Sequence, residues 1–494
     1  MLRPGPAIAA AATVACALAP VATARATPAA AENPPRADIP IDPCQKVRPG
    51  FHVLRSFGNS PDGWQPWGSP TMVGSTLWGR TTFGDGNGSA GVIWSMDPLH
   101  SSSSYRIKHR FGGTVAYASG GSGPDVSNPH HDWMRLSPNG KDLLGAGKWG
   151  GRSGVGGLFL FDTTNAGYRL LHSFNGVSKA NPKGSTHDGA NPHSNPQPAR
   201  DLVSGRSLLV GMTAFGGTSG VGAVYRLWPD GSHFSLLHSF DGPNGSTPHG
   251  FVIQSGNYLY GMTGFGGITP PQSNFPNKAA WAPFSQGNGV VFRLNMRTGR
   301  YQVLHKFGYR GPTAPGTLPG GVIDGAAPDH GGLVVHNGRL YGLTTYGARN
   351  GGGAMFSIRP DGTQYRLIRA FGPPSAGGQL SQPHGTLVTG PGNWLYALMA
   401  SGGANNAGGV FRYNAASTTY QQLHAFNGAA GGAVGEDDPA VVVNCGGRVT
   451  LQGMTKDGGA VRSTLLPTPL APDWTASQPA YANGIVWQLV LPHG

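Results

Sequence analysis

Charge is scarce in this sequence. Only 12% of its 494 residues are Asp, Glu, Lys or Arg, which argues against a long-helix or coiled-coil protein. Acids are the scarcer sign, 22 against 35 basic residues. The best carboxylate candidates, Glu436-Asp437-Asp438 and Asp329, do not form a pair in sequence, which weakens a two-carboxylate hydrolase. Cysteine is nearly absent, at three residues. After the N-terminus no apolar run is long enough to span a bilayer. There is no G-x-S-x-G elbow, H-E-x-x-H, P-loop or CxxC pair. Glycine and proline are abundant instead: 82 Gly and 42 Pro, with 20 Phe, 15 Tyr and 11 Trp. A turn-rich chain with that many aromatics and 38% hydrophobic residues can bury a large core. The composition points to an all-β protein.

The first residues read as an export signal. Met1-Leu2-Arg3 precedes an Ala-rich apolar stretch from Ala7, with small residues around Ala22-Thr23-Ala24 for cleavage. Residues 1–26 are therefore assigned to a signal peptide, 27–47 to an Ala/Pro-rich leader and 48–494 to a single folded domain. The expected location is secreted or periplasmic, where Cys44 and Cys445 are free to form a disulfide.

Internal repeats define the fold. An alternating segment ending in Phe recurs seven times, at Phe51–Phe57, Tyr105–Phe111, Tyr168–Phe174, Phe234–Phe240, Tyr301–Phe307, Tyr365–Phe371 and Tyr420–Phe426. A second unit also recurs seven times, from Gly91–Met96 to Gly484–Leu489. A third has the form Leu-Tyr-Gly-x-Thr, clearest at Leu259–Gly266 and Leu340–Gly347, and a fourth opens with Pro, as in Pro248–Ile253. Four short strands per period, seven times, predict a seven-bladed β-propeller with four antiparallel strands per blade. The chain opens on an outer-strand copy and ends on a third-strand copy. The N-terminal strand is therefore expected to join the last blade and close the ring. A Cys44–Cys445 disulfide would then staple both ends, contributing roughly 4–5 kcal/mol on the chain-entropy estimate.

Asp324-Gly-Ala-Ala-Pro328, Leu340–Gly347, Gly352–Phe356, Pro360-Asp-Gly362 and Tyr365–Phe371 resemble the GloVer (Gloeobacter/Verrucomicrobia) tandem repeat of exported bacterial proteins. The resemblance covers nearly all of the chain after about residue 50. It implies a β-propeller and an extracellular or envelope location, and it implies no reaction.

Strand connectivity gathers the long loops on one face. Two of these loops are aromatic, one carrying Phe275, Trp281 and Phe284 and the other Trp474 and Tyr481. The innermost strands open there too, with Pro129-His130-His131, Pro248-His249, Pro328-Asp329-His330 and Pro383-His384. Blade 3 aligns at Pro198, with His193 in the loop before it, and blade 7 at Pro439. Convergent imidazoles suit a divalent metal or a general base. His249, His330 and His384 are the candidate metal ligands, and His130, His131 and His249 the candidate bases. Trp67, Arg80, Lys148, Trp149, Lys456 and Trp281 are the candidate contacts to a sugar acid. The second His series, His109, His172, His238, His305 and His424, lies on outer strands and is read as structural.

The net charge of +13 favours anionic partners. Two functions remain open: a polysaccharide lyase cleaving an acidic, uronate-containing glycan by β-elimination, and a non-catalytic glycan-binding, adhesion or scaffold protein of the cell envelope. No nucleic-acid partner and no transmembrane segment are expected, and the protein is expected to be a monomer.

Overall fold

Alternating segments punctuated by Gly, Asn and Asp fold as short antiparallel strands joined by tight turns. The computed structural model describes residues 48–57, 62–84, 90–129, 131–268, 287–308, 323–328, 330–375, 377–428, 431–435, 439–443, 448–459 and 484–492. Blade 1 uses Thr71–Val73, Thr76–Thr81, Val92–Met96 and Arg106–Arg110, hydrogen-bonded in that order. The same order recurs in blades 2 to 6, within residues 135–173, 197–239, 253–306, 334–370 and 381–425. Blade 7 comprises Ala440–Val443, Val449–Thr455 and Ile485–Val490, with Gly50–Ser56 as its outer strand. In blade 6 the inner strand is broken, because Ser381–Pro383 and Val388–Thr389 both pair with Trp394–Ser401. The α-helix among the described residues is the single turn Ser101–Ser104. This is the all-β, seven-bladed arrangement expected from the repeats. Cys44 and Cys445 lie outside the described residues.

The repeat glycine of the second strand has a packing cause. Gly79, Gly145, Gly211, Gly261, Gly342 and Gly453 each pair across the sheet with an aromatic of the third strand. The ring fills the space that a side chain would take. At Gly453, a Cβ would sit 2.2 Å from the Trp487 ring. In every blade a bulge between the third and outer strands adjoins this aromatic position, as between Ile93 and Trp94 or Met355 and Phe356. Such bulges deepen the local twist.

The core lies between the blades. Blade 4 presents Phe251, Tyr260 and Phe307 to Leu333, Leu340 and Phe356 of blade 5. Blade 7 presents Phe57, Met454 and Val486 to Leu77, Val92 and Trp94 of blade 1. At the outer rim, five histidines of the structural series stack on an aromatic of the next blade. The pairs are His109–Tyr168, His172–Phe234, His238–Tyr301, His305–Tyr365 and His424–Phe51, with centroids 3.7 to 4.0 Å apart. Three also meet a carboxylate: His109 with Asp125, His172 with Asp188, His305 with Asp324.

His238 has no such ion pair among the described residues, and burial pulls its pKa down to about 4 from the usual value near 6.5. The unfolded chain therefore takes up a proton on this residue below about pH 6.5, which the folded chain refuses until about pH 4. Stability is retained above that window and lost as the pH falls through it. Burial lowers His424 in the same direction. We expect the melting temperature to fall between pH 6.5 and 4. His238→Phe, which keeps the stack on Tyr301, should flatten that fall. An unchanged pH profile in the variant would refute the assignment.

Candidate functional site on the propeller axis

Each blade is entered through one repeated backbone device. Gln65, Asn128, Asn191, Thr247, Ala327, Gln382 and Val434, one ahead of each blade, hold φ between 46° and 55°. Six of them precede a proline. The Pro-led segment is therefore a turn that delivers the chain to the axis, and the inner strand starts only afterwards, as Ile253–Ser255 does after Pro248, except in blade 6, where Gln382 and Pro383 lie in the first part of the broken inner strand.

This device corrects two alignments. Blade 3 opens at Asn191-Pro192-His193, not at Pro198. A Cβ on Gly156 would meet Pro192 as one on Gly222 would meet Pro248. Blade 7 opens at Val434, not at Pro439. His193 thereby joins the axial series; the X-Pro-His pattern it shares with Thr247-Pro248-His249 was the available signal.

Residues from five successive blades can meet only at the axis, and there five imidazoles do. His131 and His330 stack with centroids 3.7 Å apart, and His193 and His249 stack at 4.0 Å. His249 lies 4.9 Å from His330, and His330 lies 4.4 Å from His384. His330 Nδ1 is 3.1 Å from His384 Nδ1. His131 and His193 are buried, while His249, His330 and His384 are half-buried. The blades approach too closely here for side chains at some positions. A Cβ on Gly250 would lie 1.9 Å from the Gly331 carbonyl oxygen.

Trp67 stands edge-on to His131, centroids 4.7 Å apart, and Lys456 Nζ lies 4.3 Å above the Trp67 ring. Lys148 is buried, 5.6 Å from the ring of Trp149, and its carbonyl accepts from Asn191 Nδ2. A cation, an aromatic face and imidazoles thus adjoin at the blade 7–blade 1 sector. His130 and Trp281 lie outside the described residues.

Arg80 behaves differently from the two lysines. It is 2% exposed, and its guanidinium donates to the His131 carbonyl, to the Asp132 carbonyl at 2.9 Å and to Asn195 Oδ1 at 2.8 Å. A fourth contact reaches the Ala146 carbonyl at 3.3 Å. Asn195 donates in turn to the Trp133 carbonyl and, through its backbone N–H, to Asp132, whose carboxylate pairs with Arg135 at 3.0 Å. Arg80 thus anchors the histidine loop, and its donors are directed at protein acceptors rather than at a glycan carboxylate. Neither Asp132 nor Asn195 stood out in the sequence.

A seven-bladed propeller with a histidine-lined axis defines the class. The chain belongs to the Gloeobacter/Verrucomicrobia repeat family, whose sequence model matches residues 44–269, 116–323 and 285–465. No curated protein matches the sequence. Among solved structures it is similar to a europium-containing methanol dehydrogenase, at 10% identity and TM-score 0.44, over 89% of this chain and 93% of that one. The β-propeller domain of the Trilobed protease from Pyrococcus furiosus gives 10% identity and TM-score 0.39, over 79% and 91%. Tricorn protease gives 14% and 0.36, and the 80% of this chain that matches spans 30% of that chain. Identities this low transfer no activity.

Proposed function

We propose that the protein is an exported carbohydrate-active propeller that takes an acidic glycan at the histidine-lined axis and cleaves it by β-elimination. The observation that carries the reading is the junction of Lys456, Trp67 and the imidazole cluster. A flat indole suits a pyranose face, and an ammonium beside it suits a uronate carboxylate. Elimination then needs a base for the proton on the carbon next to that carboxylate. As the proton leaves, its electron pair forms the new double bond, the C–O bond to the neighbouring sugar breaks, and the departing oxygen takes a proton from water. His249 is the better-placed base, since it is half-buried whereas His131 is 1% exposed. A divalent metal on the remaining imidazoles would add positive charge at the carboxylate.

The burial of His131 and His193 favours the second reading, a non-catalytic glycan-binding or scaffold protein of the cell envelope, in which the inner histidines pack the axis. A panel of acidic polysaccharides, followed by the ultraviolet absorbance of unsaturated uronate with and without chelation, separates the two. We expect absorbance to rise with a uronate polymer and the rise to disappear in His249→Ala. A flat trace with every polymer would remove the lyase. Retardation in glycan-containing gels, lost in Trp67→Ala, would then support the binding protein.

A further inference from the structure

We infer that His131, His193 and His330 form a tris-imidazole site for a divalent transition metal of the zinc, copper or nickel kind. This deepens the functional reading above by naming the ligands of its metal. The sequence suggests His249, His330 and His384. The structure brings a different trio together, in which one ring nitrogen from each histidine lies within 4.8 Å of the other two. Three atoms so spaced sit within about 2.8 Å of a common centre. Reaching the usual His–metal bond of about 2.0–2.1 Å takes shifts below about 1 Å in these nitrogens and, because the three rings lie within 16° of parallel, a side-chain rotation that turns their in-plane lone pairs onto the ion.

Two of the three are not repeat residues. In blades 4 and 6 the histidine follows the proline directly, as Pro248-His249 and Pro383-His384. In blades 2 and 5 an extra residue intervenes, giving Pro129-His130-His131 and Pro328-Asp329-His330. A histidine that only followed the repeat would sit directly after the proline. The displaced pair instead adopts left-handed backbone, with φ of 46° at His131 and 59° at His330. At His131 the fork of Arg80 on the carbonyls of residues 131 and 132 holds the backbone in that conformation.

The donor chemistry selects the metal. Three neutral imidazoles suit zinc, copper or nickel and disfavour calcium or magnesium, which take oxygen ligands. Neutral donors also leave the ion its full positive charge, which suits an anionic ligand. His384 then serves as the outer partner that orients His330 through the nitrogen facing it, at 3.1 Å. His249, stacked on His193, walls the site and remains available as a base.

The test reads metal binding without any glycan. Chelated protein is titrated with Co2+ followed by visible ligand-field absorption, and with Zn2+ by calorimetry. We expect one ion per chain, and a loss of affinity beyond about 100-fold in His193→Ala and in His330→Ala. His384→Ala should weaken binding by only about 10–100-fold, as outer partners do. Pulsed electron paramagnetic resonance on the Cu2+-loaded wild-type protein should show several coupled imidazoles, and it needs no variant to fold. Absence of stoichiometric binding overturns the inference. So does binding that survives His193→Ala but fails in His249→Ala, or a Cu2+ signal coupled to at most one imidazole. Metal binding without unsaturated product would remove the lyase and leave the site standing; product without metal binding would do the reverse.

Discussion

Arg80→Met is expected to lower the unfolding free energy by about 3–5 kcal/mol, the range for breaking a buried hydrogen-bonded charge network from one side. Shape is not the cause. Blades 3, 4 and 7 carry Met212, Met262 and Met454 at the corresponding place, each opposite a buried valine as Arg80 is opposite Ile93. What is lost is the guanidinium, and with it the donors to the carbonyls of His131 and Asp132 and to Asn195 Oδ1. These acceptors are buried and would lose this donor without gaining water. Arg80→Lys should recover only part of the loss, because one ammonium cannot reproduce the planar fork. Urea unfolding monitored by tryptophan fluorescence measures both variants. Buried charges are sometimes replaced by apolar residues without penalty. A neutral Arg80→Met would therefore place the histidine loop under the control of the inter-blade core instead.

The architecture was legible because the blade is written in local terms. Alternation, the Gly opposite an aromatic and the Pro-led turns each recur seven times or nearly so, and repetition separates such signals from chance. The outer histidines were legible for the same reason. The axial site was harder, since it depends on where the repeat is broken. One extra residue in blades 2 and 5 moves His131 and His330 off the repeat position, and aligning blade 3 on Pro198 hid His193. The sequence sets Arg80 beside Lys148 and Lys456 because all three fall at the x-Thr-x position that ends the second strand of the repeat. Strand register places it two residues earlier, opposite Ile93 and in line with Ala146 rather than Lys148. Two residues along a strand restore the same face, so the difference is one of depth: Arg80 sits within the paired ladder, whereas Lys148 lies just past Gly147, the last paired residue of its strand.

Removing residues 1–57 should abolish the cooperative melting transition or shift it far down. Gly50–Ser56 supplies the outer strand of blade 7, paired along Ile485–Val490 from Gly50 opposite Val490 to Ser56 opposite Ile485. The strand also carries Phe51, stacked on His424 at 4.0 Å and 5.7 Å from Trp487. Just beyond it Phe57, fully buried, packs between blades 7 and 1, 6.0 Å from Trp94. Without it, the edge of Ile485–Val490 becomes an unpaired template for aggregation. Phe57→Ala alone should cost about 3–5 kcal/mol, the usual range for a buried phenylalanine in a packed core. Because the contribution is a single strand, it should act in trans: a peptide spanning residues 48–57 is expected to restore part of the transition to the truncated chain, while a peptide with both phenylalanines changed to alanine should not. Calorimetry with and without the peptide decides the matter. A truncated chain that melts as the full chain does would mean that the seven inter-blade cores hold the propeller without this strand. Rescue by both peptides alike would mean that backbone pairing, not the two aromatic anchors, is what the first strand supplies.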